Sequence, residues 1–223
     1  RECSVAQGAS HRNSPRGIFP GWQVVAVAML TQALQAGLLI YSFGTMAVAF
    51  EAEFGATRTE VMLGATVLSL TTSLLAPLFG TLVDRRSVRS LMLVAVSALA
   101  LGLLALSQAR ALWQVWVVFG TLLPVGNLLL GQLPTAALVT RWFSRLRGRA
   151  MGIAATGTSL GGFVLPVLLT GLIGHFGWRQ ALAMIGFGAF VVGAPLIHRF
   201  VVDHPSDRGL HPDGDSAPTQ RLQ

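Results

Sequence analysis

Chemistry in a protein needs side chains that ionise, coordinate or attack, and this chain holds few of them where they could cooperate. Its histidines, His11, His175, His198, His204 and His211, lie in the tails or at the ends of apolar runs, with no metal-ligand partner at short helical spacing. Cys3 stands alone, so an internal disulfide and a cysteine-pair metal site are both excluded. No glycine loop suited to phosphate and no nucleophile beside a base occurs. These absences point away from an enzyme, a metal site or a cofactor. What remains is of another kind. Amides and hydroxyls lie inside long apolar runs, Gln32, Gln35, Asn127 and Thr135 among them. A short charged turn holds Gly80, Asp84, Arg85 and Arg89, and a small-residue stretch holds Gly157, Gly161 and Gly162. Such groups make hydrogen bonds, ion pairs and close helix contacts.

The elements that must position them follow from where charge is missing. Of 223 residues, 52% are hydrophobic and 11% charged, with a mean hydropathy of +0.62. Soluble domains carry about 25% charged residues, so a soluble two-domain enzyme, a disordered tail and a disulfide scaffold are all disfavoured. Nothing charged occurs between Arg16 and Glu51, Glu60 and Asp84, Arg89 and Arg110, Arg110 and Arg141, Arg149 and Arg179, or Arg179 and Arg199. Each gap holds at least 19 residues, mostly Leu, Val, Ala, Gly and Phe. A hydrocarbon core about 30 Å thick needs about 20 apolar residues at 1.5 Å each. Six buried helices of a soluble protein would instead need polar outer faces, which these segments lack. The spans are therefore expected at 21–45, 61–83, 90–108, 112–138, 150–173 and 180–200, with a leader over 1–19, a bundle over 20–201 and a tail over 202–223. The first apolar run is too long for the centre of a cleaved signal peptide and reads as an uncleaved span. Pro77, Pro124, Pro134 and Pro195 are expected to kink their helices.

All the basic residues other than histidine are arginines, and they alternate by side. Arg1, Arg12, Arg16, Arg85, Arg86, Arg89, Arg141, Arg145, Arg147, Arg149, Arg199, Arg208 and Arg221 fall on one side, against Arg58, Arg110 and Arg179 on the other. This bias predicts that both termini are cytoplasmic. It also removes nucleic acid as a partner despite a net charge of +7, because the arginines anchor loops at lipid headgroups instead of forming one basic face.

Inside the first span, Thr31, Gln35 and Ser42 fall within about 40° of one another at 100° per residue, with Gln32 about 60° to one side of Gln35. In the fourth span, Gly120, Pro124, Asn127, Gly131 and Thr135 share a sector of about 80°. Such stripes either line a polar cavity near the midplane or hydrogen-bond between helices, at roughly 0.6 kcal/mol per contact. In the fifth span Gly157 and Gly161 form a G-x-x-x-G pair, whose simplest reading is close helix packing. No span interior contains Asp, Glu or Arg, so the default intramembrane proton or ion site is missing.

The second connection reads Gly80-Thr81-Leu82-Val83-Asp84-Arg85-Arg86-Ser87-Val88-Arg89. Inside-positive topology explains its arginines but not an aspartate at the mouth of a span. The loop resembles the signature loop of the major facilitator superfamily, with Ser87 in place of the usual second glycine. Tyr41-Ser42-Phe43-Gly44, Glu53-Phe54-Gly55, Arg58-Thr59-Glu60, Arg141-Trp142-Phe143, Arg147-Gly148-Arg149-Ala150-Met151-Gly152 and Gly177-Trp178-Arg179 follow in order. With the tail Asp203-His204-Pro205-Ser206-Asp207-Arg208-Gly209-Leu210-His211-Pro212-Asp213-Gly214, they resemble the bacterial monocarboxylate-porter and oxalate/formate-antiporter-like branch over roughly residues 20–215.

The resemblance implies an all-α integral membrane fold: one six-helix half-bundle, ending inside the linker between two halves, in the cytoplasmic (inner) membrane. It implies alternating-access transport of a small organic solute, a monocarboxylate or similar organic anion, with the first and fourth spans lining the path. Gln32, Gln35, Asn127 and Thr135 are then the path candidates. Gly80, Asp84, Arg85 and Arg89 form a conformational relay at the cytoplasmic end, and anion-binding basic residues belong to the other half. The partners implied are the lipid bilayer, the solute, and a second six-helix half or a second copy of this chain. The alternative from a different class is a non-transporting membrane scaffold, a transporter half inactive without its partner.

Overall fold

The computed structural model describes residues 20–203; the leader 1–19, the tail from residue 204 and the histidines within them lie outside the described residues. Among the described residues the chain is helical, without strands. The helices are α1 (Pro20–Ala36), α2 (Phe43–Phe54), α3 (Arg58–Arg85), α4 (Val88–Ser107), α5 (Leu112–Leu130), α6 (Gln132–Trp142), α7 (Arg147–Phe176) and α8 (Trp178–Phe200). A π-helical segment, Gly37–Tyr41, joins α1 to α2. Among the described residues six stretches are long and apolar enough to cross a membrane: Pro20–Tyr41, Arg58–Arg85, Val88–Ser107, Leu112–Trp142, Arg147–Phe176 and Trp178–Phe200. They match the six charge-free gaps, and the fold is an all-α membrane half-bundle.

The helices outrun the gaps because backbone caps, not charges, end them. The first helix continues past the π segment to Phe54, carrying Glu51 and Glu53, and stops at Gly55 in the left-handed conformation (φ 59°). Thr57 then opens α3 with a capping box: its hydroxyl accepts from the Glu60 amide, while Glu60 accepts from the Thr57 amide. Only Arg86 and Ser87 separate α3 from α4. The 28 residues of α3 span about 42 Å, well beyond the hydrocarbon alone.

The fourth span breaks at Gly131 (φ −85°, ψ −143°) between α5 and α6. Pro134 explains the place. In an unbroken helix its ring would clash with the Leu130 carbonyl, whereas after a break it falls in a first turn whose amides need no helical partner. Pro77, Pro124 and Pro195 sit inside helices that remain continuous.

Helix α1 packs along α7, α4 lies between α5 and α8, and α3 leans on α5. The core is filled by Phe50, Met92, Leu99, Leu103, Phe119, Leu123 and Trp142, all essentially inaccessible. Helices α3 and α7 bury least, leaving Leu70, Leu74, Leu78, Phe163 and Val167 exposed.

Candidate functional site

Midway along the bundle the uncharged polar groups meet. Gln35 Nε2 on α1 donates to Asn127 Oδ1 on α5, and Asn127 Nδ2 donates to Thr72 Oγ1 on α3 at 3.2 Å. Three spans are thereby joined through two amides and a hydroxyl. The Gly131 break lies beside this junction: a side chain there would come within 3.5 Å of Gln35 Oε1. Gln32, on another face of α1, accepts from Thr158 Oγ1 of α7 at 3.1 Å. Gln35 is 9% exposed, and its Oε1 and the Gln32 Nε2 have no partner among the described residues. None of these groups titrates, so the junction is built to offer and accept hydrogen bonds.

Thr135 stands apart. It is buried, and its hydroxyl donates to the Gly131 carbonyl at 3.1 Å, healing the helix break. Ser42, just after the π segment, is wholly buried and its hydroxyl has no partner among the described residues. Thr72 and Thr158 were missed by the sequence reading. Their signal was only that of a hydroxyl in an apolar helix, which most often bonds its own backbone, as Thr66 and Thr170 do here.

At the end of the bundle where α3 turns into α4, Gly80 has open space around it and Asp84 is exposed, pairing with no cation among the described residues. Arg85 and Arg86 are exposed as well. The loop is held from behind by a residue outside it. Asp203 accepts from the Ser87 hydroxyl and, at 3.2 Å, from the Arg89 amide, so a carboxylate sits at the N-terminus of α4, where the helix dipole favours it. Next to it Trp142 Nε1 donates to the Val202 carbonyl at 2.8 Å, and Arg141 reaches the Val83 carbonyl at 3.4 Å. Ser87, the departure from the usual glycine, thus serves as the N-cap of α4 and as the donor to Asp203.

The opposite end carries a second tether. Arg179 forms an ion pair with Glu53 at 2.6 Å and donates to the Ala109 carbonyl at 2.7 Å, joining the start of α8 to the end of α2 and the α4–α5 connection. Its guanidinium lies 4.3 Å from the centre of the Trp178 ring, whose Nε1 also reaches Glu53 at 3.4 Å. The hydrogen bonds from Arg179 and then Trp178 hold the Glu53 carboxyl below its ordinary range.

The glycines of α7 decide how near α1 comes. A Cβ at Gly157 would strike the Met29 carbonyl, and one at Gly161 the Ala33 carbonyl; reciprocally, one at Gly37 would lie 2.5 Å from the Gly161 oxygen. Gly162 faces the Tyr41 ring instead, at 2.7 Å.

Comparison with known proteins adds a lineage to this geometry. The family model for the Major Facilitator Superfamily matches residues 25–223. Monocarboxylate transporter 13 of Bos taurus is 33% identical over 165 residues, covering 74% of this chain and 38% of the relative. The Rattus norvegicus protein of the same name is 31% identical over 175 residues, 78% of this chain and 40% of the relative. The MFS-type transporter pytF of Aspergillus terreus is 28% identical over 192 residues, 85% of this chain and 64% of the relative. The chain thus spans about two fifths of the length of the two monocarboxylate transporters.

Proposed function

Because this chain belongs to the major facilitator superfamily, we propose that it forms the N-terminal half of a secondary transporter that carries a small organic solute across a membrane by alternating access. The observation that carries the reading is the Gln35–Asn127–Thr72 junction, where three spans meet through uncharged hydrogen-bonding groups in an otherwise apolar interior. Gln35 Oε1 and Gln32 Nε2 are the atoms this half offers to a solute. Thr135 joins the path when its hydroxyl leaves the Gly131 carbonyl. The solute class is a monocarboxylate or similar organic anion, supported by what the mammalian relatives are called. The described spans supply no cation at that depth, so the counter-charge comes from the partner half.

Both termini face the cytoplasm, and the membrane is the cytoplasmic (inner) one. The exposed Asp84, with Arg85, Arg89 and the open flank at Gly80, pairs across the interface between two halves in one of the alternating states. A labelled monocarboxylate is offered to vesicles bearing the chain with a second six-helix half. Uptake is expected to fall at least tenfold in Asn127→Leu and in Asp84→Asn, with membrane insertion unchanged. Uptake that survives Asn127→Leu refutes the assignment of the junction. The unpaired Asp84 favours one second reading, a non-transporting half that acts as a scaffold. It is supported if no uptake occurs and Asp84→Asn alters only topology.

A further inference from the structure

The outer face between α4 and α8 carries a groove that plays no part in the junction or the relay. We propose that it is a binding site for the acyl chain and headgroup of one anionic phospholipid. Near the end of the bundle that holds Asp203, the groove measures about 640 Å³; its floor is Leu93, Phe190, Val191 and Pro195, and its mouth is His198 and Arg199. A second hollow, lined by Ser97, Leu101, Leu104 and Phe187, shares Phe190 and continues the groove along the same two helices. From Leu93 to Leu104 the two hollows, meeting at Phe190, together extend over eleven residues of α4, about 16 Å at 1.5 Å per residue. Half of a hydrocarbon core about 30 Å thick is about 15 Å. The track is one leaflet deep.

Charge selects the occupant. Arg199 and His198 are exposed, and neither pairs with a carboxylate among the described residues. The nearest carboxylate in sequence, Asp203, is engaged by Ser87 and the Arg89 amide. Two grooves beside α1 and α7 are lined by uncharged side chains alone, which makes them ordinary lipid contacts. A basic mouth above an apolar track of leaflet depth, between two spans, has the form that recognises an anionic headgroup.

The test is native mass spectrometry of the full chain released from micelles holding equal phosphatidylglycerol and phosphatidylcholine. One retained phosphatidylglycerol per chain is expected, well in excess of phosphatidylcholine. Arg199→Gln is expected to lower its retention about fivefold, the factor for about 1 kcal/mol per basic residue at an anionic surface. Leu101→Trp, which fills the track without touching the charge, is expected to lower it as well. Arg199 is exposed, and among the described residues its guanidinium meets only the Phe200 ring, at 5.8 Å, so its replacement leaves the fold intact. Equal retention of the two lipids, or retention unchanged in Arg199→Gln, overturns the proposal. So does displacement by millimolar inorganic phosphate, which would make the mouth a soluble-anion site, or a dimer abolished by Leu101→Trp, which would make the face an interface between copies.

Discussion

Replacing Gly161 by alanine tests how α1 and α7 are held together, and the structure supplies the size of the effect. The added Cβ would strike the Ala33 carbonyl oxygen and lie 2.6 Å from both its carbon and its Cα. Ordinary contact is about 3.5–4.0 Å, so the two backbones must separate by at least about 1 Å. No side chain can turn aside, because the obstacle is backbone. A gap of that order forfeits roughly a quarter to a half of each dispersion contact, and it opens along the most extensive helix pair in the bundle. The expected cost is at the upper end of overpacking, about 2–3 kcal/mol. Gly157→Ala meets the Met29 carbonyl carbon at 2.8 Å and should cost nearly as much. One displacement of α1 relieves both clashes, so the double variant is expected to cost at least about 0.5 kcal/mol less than the two singles together. Gly162→Ala meets only the edge of the half-exposed Tyr41 ring and should cost under about 1 kcal/mol, since the ring can swing away. Gly152→Ala meets nothing and should stabilise by a few tenths up to about 1 kcal/mol through helix propensity. Denaturant unfolding in detergent, followed by tryptophan fluorescence, measures all five. A Gly161→Ala variant within about 0.5 kcal/mol of the parent, or strictly additive costs for the pair, would refute the reasoning.

Three further outcomes follow from the tethers and the charge bias. Glu53 is held below its ordinary pKa by Arg179 and Trp178, so its contribution to stability is complete above the usual glutamate value of about 4.3 and drains away as pH falls below it. Thermal stability followed from pH 7 to pH 3 should show that acid-side loss, and Glu53→Gln should remove it. Asp203→Ala should raise hydrogen exchange at the Arg89 amide about fivefold, corresponding to a lost cap of about 1 kcal/mol, with Asp203→Asn intermediate; unchanged protection would mean that the cap contributes nothing. Reporters fused after residues 87, 110 and 147 should read cytoplasmic, periplasmic and cytoplasmic, and a periplasmic signal at 87 or 147 would reverse the orientation.

The spans were legible because a bilayer tests each residue by the same criterion, and charge marks where that test ends. What charge does not mark is hydrogen bonding. The π segment at Gly37–Tyr41, the Gly131 break and the extension of the first helix to Phe54 all depend on backbone caps and packing that apolar composition leaves open. The same distinction sorts the polar groups. Gln35 and Asn127 were found by angular arithmetic on continuous helices, and each helix is continuous up to those residues. Thr135 lies beyond the break, where the phase of the helix restarts, and it bonds to the break itself. Gln32, offset by about 60°, turns to Thr158 instead of Asn127. The role of Asp203 was not legible, since its partners lie 114 and 116 residues earlier.

Together the contacts constrain how such a bundle can move. At one end Glu53, Arg179 and Ala109 bind the first helix, the last helix and the connection between the third and fourth spans. At the other, Asp203 binds the last helix to the turn between the second and third spans, while Trp142 and Arg141 draw in the fourth. The fifth span is locked to the first by backbone approach at Gly157 and Gly161. Every span is therefore tied to another by backbone contact or hydrogen bonds, and sliding within the bundle would break several of these ties at once. The least buried helices are α3 and α7, with Asp84, unpaired among the described residues, at the foot of α3. If this chain takes part in alternating access, as we propose, the movement is of the bundle as one body against whatever covers those two helices. Asp84 is then placed to report that movement, since its pairing changes with the approach of a partner and not with any rearrangement inside the half.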